Sequence, residues 1–295
     1  MNRRLKDLIV SKLMLIATVF SSLIVFFMAF VLFQKGSLIL TTQPLGELFL
    51  SSSWYPRQGE FGFFPFIAGT FWVTALAMVL AIPICLLTAI YLAEYASKSV
   101  RGVMKPLVDL LAGIPSVVYG LWGVLVIVPL IRDYVAPLLG ATTTGYCILA
   151  GGVVLAIMVF PIIISISEEV FRAVPYETRE ASLALGATRW QTVKHVVIRK
   201  AAPGIAAAVI LGFSRAFGET MAVLMVVGNV AKVPSSVFDP AYPLPALIAN
   251  SYGEMMSIPL YDSALLLAAL ILLFVVFCFN IAARVILLRV ERGVR

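Results

Sequence analysis

Charged residues are scarce in this sequence. Aspartate, glutamate, lysine and arginine together make up 13% of the 295 residues, and 61% of the residues are hydrophobic. An average soluble domain carries about 25% charged residues. The mean hydropathy is +1.03. A soluble globular enzyme is therefore disfavoured, and a disordered chain is excluded because disorder requires low hydrophobicity and high charge.

Residues that bind metals or nucleotides are also few. Cys85, Cys147 and Cys278 each stand alone in an apolar run, and His195 is the only histidine. These positions have neither the spacing of a metal site nor a pattern of disulfide pairing, so we expect no metal and no cofactor. The G-x-x-x-x-G-K-[ST] loop that cradles ATP phosphates is missing. The sequence predicts a protein that is not an enzyme and does not hold ATP in the P-loop manner.

Long apolar runs, in contrast, are abundant. A helix needs about 20 mostly apolar residues to cross about 30 Å of hydrocarbon. We predict an all-α integral membrane protein in which residues 1–295 form one transmembrane domain. The six predicted spans are residues 13–33, 66–92, 114–131, 145–166, 204–227 and 263–283. The first run follows a basic leader but is too long for a signal-peptide core, so we expect a retained helix.

Basic residues predict the orientation of these spans, because cytoplasmic loops carry an excess of lysine and arginine. Seventeen of the 22 basic residues lie in the leader, in the connections that follow the second and fourth spans, and after the last span. Four lie on the other side, and Arg215 lies within the fifth span. We expect an inner-membrane protein with both termini in the cytoplasm. The net charge of +7 then reflects topology, and nucleic-acid binding is not expected.

The cytoplasmic insert, residues 167–203, carries signals for two short helices. Gly186 is a left-handed terminator for the first helix, which begins after Pro175. Thr188 caps the second helix, and Gln191 three residues later completes a capping box. One face of this second helix is apolar, with Trp190, Val193, Val196 and Val197. This face either packs against the protein's own helix ends or contacts a cytoplasmic partner.

Part of the insert resembles the EAA motif of ABC-importer permeases. The matching residues are Glu180, Ala181, Ser182, Gly186 and the apolar run 196–198. In that family the helix–Gly–helix unit is the coupling element that fits a groove on the ATPase subunit. The resemblance therefore implies this coupling role for Glu180, Ala181, Gly186, Thr188 and Trp190. Arg199 stands where the motif usually has a proline, and Pro203 follows four residues later.

The resemblance extends over most of the chain from Trp54 to Asn250. Gly-Ile-Pro-Ser at residues 113–116 and Arg-Ala-Phe-Gly-Glu at residues 215–219 are similar to phosphate-importer permeases, first the PstC-type subunit and second the PstA-type. The resemblance implies a type I ABC-importer architecture for transport of inorganic phosphate. It also implies a related PstA-like permease, two PstB-like ATPase subunits and an external PstS-like phosphate-binding protein as partners.

Arg215 and Glu219 are the only charged residues well inside a predicted span. A continuous helix would let them meet at i, i+4 spacing, on the same face as the small residues Gly204, Ala208 and Gly212. The pair is either a structural salt bridge or a site on the anion's route, since intramembrane charges mark pathways. An arginine fork suits phosphate oxygens. Thr70 and Ser116 either satisfy backbone groups or line this path.

Other functions remain as alternatives at this point. The substrate is phosphate or another tetrahedral oxyanion such as molybdate, tungstate or sulfate. A secondary transporter driven by an ion gradient would favour several intramembrane carboxylates and repeated broken helices, but only Glu219 is present. A membrane enzyme would need a nucleophile–base or metal-ligand cluster, and none stands out. The long outer loops, residues 34–65 and 228–262, are either passive connectors or docking sites for an external partner.

Overall fold

A computed structural model describes residues 3–253 and 258–294 of the chain. Residues 1–2 and 295 lie outside the described residues, and the predicted cytoplasmic location of the termini concerns these ends. In the described part, six helical stretches are long and apolar enough to cross a membrane, which confirms the predicted number. They are Ile9–Thr42, Phe64–Tyr95, Ser116–Leu138, Ile148–Ala173, Arg189–Phe217 and Pro259–Ala282.

Over residues 3–253 and 258–294 the regular structure is helical apart from one short hairpin, between the first two spans, and an isolated bridge between Gly228 and Ala241. The α-helices in chain order are α1 (Arg3–Thr42), α2 (Leu45–Leu50), α3 (Phe64–Ile90), α4 (Lys98–Gly113), α5 (Ser116–Trp122), α6 (Val128–Leu130), α7 (Ala136–Leu138), α8 (Ile148–Ala173), α9 (Tyr176–Ala184), α10 (Arg189–Thr192), α11 (Ile198–Phe217), α12 (Met221–Val226), α13 (Leu244–Ser251) and α14 (Pro259–Val294). The strands β1 (Trp54–Tyr55) and β2 (Glu60–Phe61) pair antiparallel. Wider π-type turns occupy Tyr91–Tyr95, Gly123–Ile127, Ile131–Val135 and Val193–Val197.

The third span is longer than predicted at its outer end. It was expected to end at residue 131, close to Pro129, but the helical stretch continues to Leu138. Pro129 and Pro137 each follow a π-type turn by two residues. Proline lacks an N–H and its ring clashes with the carbonyl four residues before. The wider turns accommodate both prolines, so the helical stretch continues past them.

The cytoplasmic insert is not a unit separate from the spans on either side. The helix α8 continues through the predicted end at residue 166 as far as Ala173. The second insert helix, α10, runs without a break through Val193–Val197 into α11. Only α9 and the turn at Gly186 lie between two continuous membrane helices, because Pro203 is accommodated inside α11.

Small residues bring the central helices α3, α8 and α11 together. A Cβ atom added at Gly152 would lie 2.8 Å from Leu76 of α3, and one added at Gly212 would lie 2.7 Å from Ile163 of α8. Ala208 and Gly212 are buried, as the small-residue face of the fifth span predicts. Such contacts let helix backbones approach closely inside a membrane. The site described below is therefore held on a tightly packed three-helix core.

The second outer loop is anchored on α3 through Thr70. This loop contains the short helix α13. The Leu244 N–H at its start donates to Thr70 Oγ1 at 2.9 Å, and that hydroxyl donates in turn to the Phe66 carbonyl at 2.7 Å. Thr70 is buried. Two roles were predicted for Thr70. The structure shows the first of them, because its hydroxyl pairs with a buried backbone N–H.

Thr70→Val should therefore destabilise the protein. The valine would leave the buried Leu244 N–H unpaired, and an unsatisfied buried donor costs about 1–3 kcal/mol. Thr70→Ser keeps the hydroxyl and should lie close to the unmodified protein. Thr88→Val, on the same helix, is the matched control because the Thr88 hydroxyl only donates to the Ile84 carbonyl of its own helix. Thermal unfolding in detergent measures these differences in stability. Equal destabilisation by Thr88→Val and Thr70→Val would contradict this interpretation.

Candidate functional site

The fifth span breaks at residues 218–220, between α11 and α12. The prediction of one continuous helix over residues 204–227 is therefore wrong. Glu219 lies in this break, and its Oε1 accepts a hydrogen bond from the Ala222 N–H at 3.2 Å, in the first turn of α12. Because Glu219 has left the helix, the i, i+4 geometry expected for it and Arg215 does not form. No ion pair joins the two residues in the described chain.

Arg215 instead projects from α11 on an exposed face. Among the described residues it has no hydrogen-bond or ion-pair partner. Its charge interacts electrostatically with Tyr119 of α5, whose hydroxyl donates to the Leu111 carbonyl at 2.7 Å. Gly212, less than one turn earlier on α11, contacts Ile163 near the middle of α8. Arg215 is therefore an unneutralised cation near the mid-height of the helical bundle.

The other side of α11 is packed within the chain. Phe217 lies 5.5 Å from Phe279 and 6.0 Å from Phe71 between ring centroids, and Phe213 stacks on Phe217 at 5.8 Å. These rings join α11 to α3 and α14. Phe213 and Phe217 therefore pack against helices of the same bundle. The charged face is left open while the aromatic face is covered.

Glu219 and Thr70 line one small cavity. Its other lining residues include Thr74, Phe217 and Pro243, and its volume is about 10 Å³. A cavity of that size holds about one water molecule, so it does not accommodate an anion in this conformation. Ser116 lies elsewhere, half-buried at the start of α5 and three residues before Tyr119. The structure thus groups Glu219 with Thr70, and places Ser116 on the helix that borders Arg215.

The two insert helices form with the predicted local geometry. Gly186 has φ +85° after α9, the left-handed conformation expected for a helix terminator. Thr188 and Gln191 make both hydrogen bonds of the predicted capping box at the start of α10. The hydroxyls of Ser182 and Thr192 lie 2.9 Å apart and join the two helices. The unit is therefore a stable helical hairpin.

The apolar face of the second insert helix is partly buried within the protein and partly open to a partner. Val193 and Val197 are buried against Phe171 and Val174 at the end of α8, so they pack on the protein's own helix ends. Trp190 stays 50% exposed, and Leu185, at the tip of the hairpin, is 89% exposed. Glu180, Ala181, Gly186 and Thr188 are exposed as well. The residues of the predicted coupling site therefore share an open, partly apolar surface.

A layer of buried charges beneath this hairpin was not found by sequence reasoning. Glu168 is buried, with its Oε1 3.6 Å from Arg101 and 3.7 Å from Arg172. Glu94 pairs with Arg179 at 2.7 Å. Each carboxylate lies near the end of a long apolar helix. That position alone suggests solvation, and the pairing depends on which helix ends meet in three dimensions.

Comparisons with known proteins agree with this architecture. A curated PstC phosphate transport permease of Xylella fastidiosa is 37% identical over 260 residues, 83% of this chain and 80% of that protein. The probable ABC transporter permease YqgH of Bacillus subtilis is 39% identical over 245 residues, 81% and 78% of the two chains. A PstC protein of Mesorhizobium japonicum is 36% identical over 261 residues, 83% and 80%.

Solved structures support the fold, and a family model that matches residues 81–292 identifies the family of the chain. One solved structure is a bacterial alginate ABC transporter in complex with an alginate pentasaccharide-bound periplasmic protein. It aligns with TM-score 0.66 at 15% identity, over 97% of both chains. A MetNI methionine ABC transporter aligns with TM-score 0.54 at 21% identity, over 76% and 91%. The chain belongs to the binding-protein-dependent transport system inner membrane components, the family that residues 81–292 match.

Proposed function

We propose that this chain is the permease subunit of an ATP-driven importer that moves inorganic phosphate across the cytoplasmic membrane. The observation that carries the proposal is the guanidinium of Arg215 at mid-height, which is unpaired among the described residues and lies on a face that they leave open. A charge in that position costs at least about 2.5–3.5 kcal/mol if nothing compensates it. Relatives that carry the name phosphate permease add the identity of the anion.

Arg215 is the proposed contact for the anion. Its planar fork donates two parallel hydrogen bonds to neighbouring oxygens of a tetrahedral oxyanion. Ser116 and Tyr119 belong to the neighbouring helix α5 and border the same route. Glu219 has a different proposed role from the neutralising one that a continuous helix suggested. Its carboxylate holds the start of α12 at the helix break, and Thr70 supports the same region from α3.

Energy enters through the exposed hairpin surface. Glu180, Ala181, Gly186, Thr188 and Trp190 form the proposed contact with an ATPase subunit, with Leu185 at its tip. Because α10 continues into α11, the stretch from Arg189 to Phe217 is one helical body. A tilt imposed at Trp190 therefore reaches Arg215 directly, while the break at residues 218–220 lets α12 stay behind. This is a hinge between rigid helices that exchanges outward and inward access.

The proposed assembly has further subunits. A related PstA-like permease covers the open face of Arg215, two PstB-like ATPases supply energy, and a PstS-like binding protein delivers phosphate to the outer loops. Both termini of this chain lie in the cytoplasm in this arrangement, as the distribution of basic residues favours. The family's description as a binding-protein-dependent system is consistent with an external delivery protein.

Arg215→Ala should abolish most phosphate uptake. A hydrogen bond to a charged group contributes about 1.5–3 kcal/mol, and every 1.4 kcal/mol is a factor of ten. We expect initial uptake of radiolabelled phosphate at limiting concentration to fall about tenfold or more. Glu219→Ala should also lower uptake, through the disturbed break. Arg132→Gln, which removes an exposed arginine paired with Asp133, is the control and should transport normally at matched membrane expression.

Competition identifies the anion in the same assay. Unlabelled phosphate should suppress the labelled uptake, and equal concentrations of sulfate, molybdate or tungstate should not. Stronger suppression by one of those anions than by phosphate would assign the permease to that substrate. Normal uptake in both Arg215→Ala and Glu219→Ala would refute the proposed route.

Gly186→Ala should weaken coupling to the ATPase. An alanine in the left-handed conformation costs about 1–2 kcal/mol, and it would distort the turn that presents Leu185 and Trp190. Gly140→Ala is a matched control, because Gly140 has φ +68° with open space around it but lies in an outer loop. We expect less copurified ATPase and several-fold lower uptake only for Gly186→Ala, with partial recovery in Gly186→Asn. Equal losses in both alanine variants would contradict a specific coupling role.

A further inference from the structure

The cytoplasmic end of α3 is tied to the coupling hairpin by a shielded ion pair. Arg179, on α9, donates from Nη2 to Glu94 Oε1 at 2.7 Å, and from Nε to both carboxylate oxygens at 3.2 and 3.3 Å. Glu94 belongs to the π-type turn Tyr91–Tyr95 that follows α3. The side chains are 14% and 9% exposed. A pair this shielded is screened little by salt, unlike an ordinary surface ion pair.

Arg179 connects a third element to the same point. Its Nη2 also donates to the Phe171 carbonyl at 2.7 Å, and its Nη1 donates to the Val174 carbonyl. These carbonyls are at the end of α8, where a cation is favourable to the helix dipole. One guanidinium therefore joins the ends of α3 and α8 to the first coupling helix.

The second coupling helix reaches the same turn. Arg189, the first residue of α10, donates to the Glu94 carbonyl, and its guanidinium lies 4.9 Å from the centre of the Tyr95 ring. On the opposite side, Arg101 of α4 donates to the Leu92 carbonyl at 2.9 and 2.6 Å. The carbonyls that a helix end leaves free are thus bound by arginines from two directions. The coupling hairpin holds α3 with both of its helices.

We propose that Glu94 and Arg179 are positioning residues that transmit the movement of the coupling hairpin to α3; we call this pair the clasp. The inference rests on the proposed function. The helix α3 carries Thr70 and Thr74, which line the cavity beside Glu219. With the clasp closed, a displacement of α9 moves α3 together with α8 and α11. With the clasp open, α9 can follow the ATPase while α3 lags, and ATP is hydrolysed without passage of an anion.

Glu94→Gln tests the clasp in the complete assembly, purified through a tag on this chain and reconstituted in vesicles. Glutamine keeps the shape of the side chain but removes its charge, and Arg179 keeps its contacts with α8. Coupling between sites typically amounts to factors of about 5–150. We expect the ratio of phosphate transported to ATP hydrolysed to fall at least about fivefold, while ATP hydrolysis itself persists. A merely structural role would lower both activities together.

Asp133→Asn is the matched control, because it removes the carboxylate of an exposed ion pair with Arg132 in another part of the chain. Its transport ratio should equal that of the unmodified assembly. An unchanged ratio in Glu94→Gln would overturn the clasp. If that variant does not assemble, Arg179→Lys decides, since lysine has all its donors on one nitrogen, whereas Nε, Nη1 and Nη2 of Arg179 reach separate acceptors. A lowered ratio in Arg179→Lys supports the clasp, and an unchanged ratio overturns it.

Failure of the proposed function would give a different result. An unmodified assembly that hydrolyses ATP but transports no phosphate would refute the proposed substrate before any variant is compared. The clasp fails only when the unmodified assembly is coupled and the variant is coupled equally well.

Discussion

Arg215 carries a full positive charge near the middle of α11, and no carboxylate in the described chain neutralises it. The helix around it is otherwise built for close packing, with Gly212 against α8 and Phe217 within an aromatic cluster. An apolar environment would penalise such a charge heavily. The open face of α11 therefore has to meet water, an anion or another protein. The proposed anion route and the proposed second permease both answer that requirement.

The proposed hinge and the second helix of the proposed coupling hairpin lie at opposite ends of one helical stretch. From Arg189 to Phe217 the chain is continuous, with a π-type turn at Val193–Val197 and Pro203 accommodated inside it. One end carries the exposed Trp190 and the other end carries Arg215. A long helix followed by a break can convert a displacement at the membrane surface into a change of access at the centre of the membrane. The clasp at Glu94 brings α3 into the same movement.

Much of this architecture could be predicted from local sequence. Six apolar runs, the left-handed Gly186 and the capping box at Thr188 depend on residues close together in the chain, and each is present. The salt bridge between Arg215 and Glu219 could not be excluded in that way. Helical periodicity assumes a continuous helix, whereas Gly218 and the capping carboxylate of Glu219 end it. The clasp was missed for a related reason: Glu94 and Arg179 are 85 residues apart, and only the packing of α3 on α8 brings them together.

The central claim is that the positive charge of Arg215 serves the anion and is not the missing half of a structural salt bridge. A cryo-EM structure of the complete assembly, trapped with phosphate, tests this most directly. The account predicts tetrahedral density within hydrogen-bond distance of the guanidinium, at about 2.7–2.9 Å. A guanidinium paired with a carboxylate of the second permease, with phosphate bound elsewhere, would contradict it.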